Sequence, residues 1–266
     1  EKNSIEEAMG YSVMSGGKRL RGIMLIEAFR LFNSDSELEK NLADPFAAAM
    51  EFIHAYSLVH DDLPSMDNDM YRRGKLTTHA KYGHAMGVLT GDALLNYAFE
   101  TMTKAANSLS AFRGEMASDL ALRAISAMSV IAQKAGYSGM IGGQVMDVCG
   151  AGENDASVIV PDDKLDELIR IYELKTSRLF QAALCAGAII GGATDRSVRD
   201  MEEFGYLVGE AFQITDDILD TTATFEELGK DIGSDKKNNK STIAAILGID
   251  KAAELTKEYL DRAAKL

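Results

Sequence analysis

Apolar residues return every three or four positions along nearly the whole chain. Ala47, Met50, Ile53, His54, Ser57 and Leu58 share one face of a helix, and Met116, Leu120, Ala124, Met128 and Ile131 trace another. The same period predicts helices over 18–32, 87–106, 137–148, 164–190, 196–219 and 252–264. Asp162 and Asp250 stand just ahead of two of these runs, where an N-cap carboxylate accepts a first-turn N–H. No alternating β-branched window reaches convincing strand length. The breaks are short apart from 221–239, a polar, charged, glycine-containing stretch that carries Lys230, Lys236 and Lys237, with Lys240 just beyond it. A long loop between helices of one bundle is expected to be functional rather than a linker. The pattern predicts an all-α protein with one domain over residues 1–266.

Composition adds little to that picture; charge adds more. With 46% hydrophobic and 26% charged residues the chain is globular rather than disordered. Lys and Arg number 28 against 41 Asp and Glu, a net charge of −13, which argues against general nucleic-acid binding. Cys149 and Cys185 sit in apolar surroundings without metal-ligand or C-x-x-C spacing, and read as small buried hydrophobes in a reducing compartment. The longest uncharged apolar run, about 182–193, falls short of the roughly 20 residues of a bilayer span. The chain opens on no basic and apolar leader, so the expectation is a soluble cytoplasmic protein.

The chemistry begins at His60-Asp61-Asp62-Leu63-Pro64-Ser65-Met66-Asp67-Asn68-Asp69. Pro64 biases Leu63 away from helical dihedrals, so the preceding helix should end near Asp62. Adjacent carboxylates then sit at a helix C-terminus, where the dipole disfavours anions by roughly 0.3–1 kcal/mol each before their mutual repulsion. Either the turn is solvated or a cation reverses the penalty. Phe212-Gln213-Ile214-Thr215-Asp216-Asp217-Ile218-Leu219-Asp220 repeats the problem, with Asp216 and Asp220 at i and i+4 on one face of an otherwise packed helix. Two such clusters suggest an oxygen-ligand site for a hard cation. Mg²⁺ suits it, because it accepts a few carboxylates completed by water and phosphate oxygens.

Phosphate calls for basic partners. Gly16-Gly17-Lys18-Arg19-Leu20-Arg21 is expected to open a helix whose first turn offers free N–H groups, with Lys18 and Arg21 on one face at i, i+3. Taken alone it is equally a basic surface patch, and it is not a P-loop. Arg72-Arg73 follows the first acidic cluster; neighbouring side chains diverge, so two guanidiniums can serve two different anions.

These residues, with His54, Gly74, Gly143-Gln144-x-x-Asp147, Lys175-Thr176 and Gly229-Lys230, resemble a short-chain trans-prenyl diphosphate synthase of the polyprenyl synthetase family. The resemblance runs from Gly16 to Lys240. The four residues between Asp62 and Asp67 resemble the expanded first motif of bacterial farnesyl and bacterial or plant geranylgeranyl synthases. It implies the isoprenoid synthase fold, a bundle of long, mostly antiparallel helices around a deep central cavity. It also implies head-to-tail condensation of isopentenyl diphosphate with dimethylallyl or geranyl diphosphate. Asp61, Asp62, Asp67, Asp216, Asp217 and Asp220 would clamp the allylic diphosphate from opposite sides through Mg²⁺, about three ions, or Mn²⁺ in its place. Arg72, Lys175 and Lys230 would bind the leaving group, with Lys240 assisting, while Thr176 and Gln213 offer dipoles to the allylic cation. Gly17, Lys18, Arg21, His54 and Arg73 would hold isopentenyl diphosphate, and a homodimer is expected.

Without the family, His54 would read as a satisfied core histidine, and Thr176 and Gln213 as buried polar residues bonded to backbone. His60, His79 and His84 are left structural or unassigned. By the resemblance, Tyr56 or Ser57 forms the floor that stops chain growth, and an aromatic there resembles a farnesyl synthase; geranylgeranyl or geranyl diphosphate is the alternative product. A terpene cyclase would replace the second aspartate motif, and a noncatalytic partner subunit would lack one of the two. A calcium-buffering helical protein would leave the paired arginines unexplained.

Overall fold

The computed structural model describes residues 4–109, 115–149, 164–222 and 242–266. Asp162, Lys230, Lys236, Lys237 and Lys240 lie outside the described residues. Helix α1 (Ile5–Val13) is capped by Ser4, whose hydroxyl accepts from the Glu7 N–H. Helix α2 (Leu20–Phe32) precedes α3 (Ser36–Leu38), which runs through a π-helical stretch, Glu39–Ala43, into α4 (Asp44–Asp61). A small hairpin follows, β1 (Tyr71–Arg72) against β2 (Lys75–Leu76), with Arg72 opposite Lys75. Then come α5 (Thr78–Tyr82), α6 (His84–Ser108), α7 (Glu115–Ala135), α8 (Met140–Cys149) and α9 (Lys164–Tyr172). A second π-helical stretch, Glu173–Ser177, joins α9 to α10 (Arg178–Gly191), and α11 (Asp195–Thr222), α12 (Ile243–Leu247) and α13 (Ile249–Ala263) complete the order. Of the described residues 82% are helical and almost none lie in strands, as the periodicity required.

Two compact units form. The first comprises Glu1–Ser129 with Ala186–Thr194, the second Val130–Cys185 with Asp195–Leu266. In the first, α4 packs along both α6 and α2. Leu25, Phe29, Leu42, Phe46, Met50, Ile53, Leu94 and Met102 are completely buried there. Each such side chain contributes roughly 1.5–3 kcal/mol, which holds α4, and with it the first aspartate motif, rigidly in place. In the second unit α11 packs against α13, α12, α9 and the π-helical stretch. Its core includes Leu168, Ile171, Leu174, Leu207, Ile214, Ile243 and Tyr259.

Several local expectations are corrected. The helix after the glycine pair starts at Leu20, not Lys18, because Arg19 adopts a left-handed φ of 53°. Lys18 therefore precedes the helix and does not share a helical face with Arg21. Gly248, not Asp250, precedes the last helix, and Asp250 lies inside its first turn. The Tyr71–Leu76 hairpin has no apolar alternation, which is why periodicity missed it. By contrast α4 ends at Asp61 with Asp62 as its C-cap, where Pro64 places the break.

Candidate active site

In the first unit the chain folds back on itself beyond Asp61. The Asp67 N–H donates to the Asp61 carbonyl at 2.9 Å and the Asn68 N–H to Leu63 at 3.1 Å. The four residues between Asp62 and Asp67 thus make a turn that returns Asp67 to the helix end. Asp62 is buried at 4% exposure and accepts from Arg72 Nε at 2.8 and 3.0 Å and from Nη2 at 2.6 Å. Burial pushes its carboxyl up to about 6, Arg72 pulling it down and the charges of Asp69 and Asp61 adding to the rise. Arg73 turns the other way. At a φ of 54° it donates to the Gly16 carbonyl and lies against Gly17, where a β-carbon would fall 2.5 Å from its Nη1. The two guanidiniums do diverge, one to the aspartates and one to the glycine turn.

Lys18 is exposed and Arg21 is buried. His54 lies one turn before Ser57 and Leu58. Burial, then the positive charges of Arg21, Arg73, Arg72 and Arg19, keep its imidazolium well below the ordinary histidine range. Tyr56 is buried, and its hydroxyl has no hydrogen-bond partner among the described residues. Ser57 is less buried and returns its hydroxyl to the His54 carbonyl at 2.9 Å. Of the two floor candidates, Tyr56 is the one packed into the core. His60 bonds the Val88 carbonyl at 3.0 Å, His79 bonds Thr77, and the His84 ring stands 5.7 Å from that of His79.

In the second unit the last residue of α9 and the π-helical stretch share three polar rungs with α11. Ser177 donates to Glu210 Oε1 at 2.8 Å, Thr176 to Gln213 Oε1 at 2.8 Å, and the Tyr172 hydroxyl to Asp217 Oδ2 at 2.5 Å. Residues 210, 213 and 217 lie on one helical face, and the extra residue per turn of the π-helix lets 172, 176 and 177 meet them. Gln213 also donates to Asp217 Oδ1 at 3.4 Å, and the Ile243 N–H to Oδ2 at 3.3 Å. Lys175 leaves the rungs and pairs with Asp147 at 2.6 Å. Gly143 is needed below it, since a β-carbon there would collide with the Lys175 backbone nitrogen. Next to it, both amide atoms of Gln144 are buried without a hydrogen-bond partner among the described residues. Asp216 is exposed while Asp220 is buried. Among the described residues no group of three or more His, Cys, Asp or Glu converges as a ready metal cage. The donors are nevertheless carboxylate oxygens throughout, the chemistry Mg²⁺ takes when water and phosphate complete its shell.

Sequence reasoning missed Tyr172, Glu210 and Glu51, whose partners lie 45, 33 and 29 residues away. Separations of that size carry no periodic signal.

Solved structures share this helical scaffold. The chain aligns over 98% of its length with 81% of an FPP/GFPP synthase from Zymomonas mobilis, at 34% identity and a TM-score of 0.76. It aligns over 99% with 82% of a geranyltransferase from Helicobacter pylori complexed with magnesium and isoprenyl diphosphate, at 30% identity and a TM-score of 0.79. The fold is therefore the all-α isoprenoid synthase fold. The polyprenyl synthetase family model matches residues 2–265. Among curated relatives, a farnesyl diphosphate synthase of Geobacillus stearothermophilus is 40% identical over 97% of this chain and 80% of its own. A chloroplastic geranylgeranyl pyrophosphate synthase of Catharanthus roseus is 40% identical over 100% of this chain and 68% of its own. This chain belongs to the polyprenyl synthetase family.

Proposed function

We propose that the protein is a trans-prenyltransferase that condenses isopentenyl diphosphate head-to-tail with dimethylallyl or geranyl diphosphate, and that its product is farnesyl diphosphate. The observation that carries this reading is the pair of diverging guanidiniums beside the first aspartate motif, Arg72 bonded to Asp62 and Arg73 to the Gly16 carbonyl, in a chain of net charge −13. Such local positive charge suits bound diphosphate.

In this reading Asp61, Asp62, Asp67, Asp216, Asp217 and Asp220 are the carboxylates that hold Mg²⁺, with Asp217 also tied to Tyr172. When bound, Mg²⁺ acts as a Lewis acid on the departing diphosphate. Arg72 and Lys175, now paired with Asp62 and Asp147, bind the allylic diphosphate together with Lys230 and Lys240. Thr176 and Gln213, held to each other, present dipoles that stabilise the allylic cation without attacking it. Gly17, Lys18, Arg21, His54 and Arg73 hold isopentenyl diphosphate. Its double bond attacks the cation, a C–C bond forms, and the proton leaves to the released diphosphate. No protein nucleophile is required.

The farnesyl assignment rests on buried Tyr56 as the floor; the Catharanthus relative supports geranylgeranyl diphosphate as the second reading. A homodimer is proposed through α6 and α7, whose Val88, Leu89, Leu122 and Ile125 are exposed. No described helix is long and apolar enough to cross a membrane. A cytoplasmic setting is proposed from the cysteine usage, although chloroplastic relatives exist. The test is incubation with isopentenyl and dimethylallyl diphosphates and Mg²⁺, followed by product-length analysis and sedimentation of the enzyme. A fifteen-carbon product from a dimer is expected; a folded, Mg²⁺-supplied protein that elongates nothing would sink the reading, and a monomer would remove the dimer.

A further inference from the structure

We infer that Glu51 is the positioning residue of the isopentenyl diphosphate turn: from α4 it caps the first turn of α2 and so fixes the 16–21 segment. The inference rests on the function proposed above. Helix α2 has no cap of its own, since Arg19 at the N-cap position is left-handed and makes no side-chain capping bond. Glu51 supplies one from the neighbouring helix. Its Oε1 accepts from the Gly22 N–H at 2.9 Å, and its Oε2 lies 3.5 Å from Arg19 Nη1. A carboxylate there satisfies an orphan first-turn donor and meets the positive end of the helix dipole. Gly22 makes the approach close enough: a β-carbon would stand 3.3 Å from both the Ala47 carbonyl and Glu51 Cγ.

The rest of the turn hangs on the same residues. Arg19 donates to the Val13 carbonyl at the end of α1 and Arg73 to the Gly16 carbonyl, so guanidiniums brace the turn at two points ahead of α2. Glu51 offsets part of the repulsion among them, acting on Arg73 against the charges of Arg72 and Arg19. Because its carboxylate already takes the Gly22 N–H, diphosphate bound at this turn meets the side chains of Lys18, Arg21 and Arg73 rather than that donor. One donor of the expected free first turn is thus occupied. Glu51 touches no substrate atom in this arrangement; it decides where the groups that do so stand. A preorganised turn lowers the cost of binding without changing the chemical step.

The test separates reach from charge. Glu51→Gln keeps an oxygen at the Gly22 N–H and loses the charge; Glu51→Asp keeps the charge and falls one methylene short; Glu51→Ala loses both. Steady-state kinetics are measured for each substrate in turn. Expected is a roughly tenfold rise in KM for isopentenyl diphosphate in Glu51→Asp and Glu51→Ala, with kcat and the allylic KM within about threefold of wild type, and a smaller rise of about threefold in Glu51→Gln from the lost charge. If Glu51→Ala does not fold, the Gln and Asp variants decide by themselves. Asp like wild type, Gln as poor as Asp, or an equal rise in both KM values would overturn the inference. Wild-type turnover in the same assay keeps the two proposals apart: an inactive wild type counts against the assigned activity, and an active one with unchanged Glu51→Asp counts against the role of Glu51.

Discussion

Glu210 has no exposed surface, one carboxylate oxygen bonded to Ser177, and the other without a partner among the described residues. Burial pushes its carboxyl up to about 8 from 4.5, with Ser177 opposing and Glu173 adding to the rise. The folded chain therefore binds this proton more tightly than the unfolded chain, so the acid contributes most below pH 4.5 and stability falls as pH rises towards 8. Glu210→Gln keeps an acceptor for Ser177 and removes the ionisation. Its denaturation midpoint should lose part of the pH slope of the wild type, at most about 1.4 kcal/mol per pH unit; parallel curves through that window would refute the assignment. Tyr56 poses a question of bulk. Its hydroxyl is unpartnered, so Tyr56→Phe should keep the product length, whereas Tyr56→Ala should lengthen it, as chromatography of the extracted products would show. An unchanged product from Tyr56→Ala would place the floor elsewhere.

At the scale of elements, the period of the sequence located the long helices, missed the short α1, α3, α5 and α12, and read the irregularities not at all. It predicted one helix over 164–190, where the structure has α9, a π-helical stretch and α10. A π turn shifts the face by one residue without changing the apolar composition, so no pattern of three and four reveals it. Packing does. Glu173 is tied to Arg170 at 2.6 Å and Arg178 at 2.7 Å across the stretch, and Gly209 lets α11 approach it. A β-carbon at 209 would stand 2.5 Å from Ser177 Cα. Gly209→Ala should therefore lower the melting temperature, by about 1–3 kcal/mol of overpacking, and disturb the Thr176–Gln213 rung with a loss of kcat. A variant as stable and as active as wild type would show that α11 is free to shift.

For the molecule as a whole, each compact unit carries one aspartate motif, and the proposed chemistry needs both. Asp61→Ala and Asp216→Ala should each reduce kcat by about 10²–10³-fold while leaving the helical circular dichroism unchanged. Retained activity in either would remove that aspartate from the metal set. The sequence by itself determined the helical class, the break after Asp61, the i, i+4 spacing of Asp216 and Asp220, and the families of residue able to bind Mg²⁺ and diphosphate. These are properties of neighbours along one helix, and covalent geometry fixes them before any packing occurs. Tertiary structure alone decided that Tyr56 rather than Ser57 is buried in the core, that Arg72 goes to Asp62 while Arg73 goes to Gly16, and that Asp217 is held by Tyr172. It also decided that α2 is capped by Glu51 from another helix. The reason is distance along the chain. A donor and an acceptor tens of residues apart meet only when apolar faces pack, and the local pattern names the faces without naming the polar pairs that close between them.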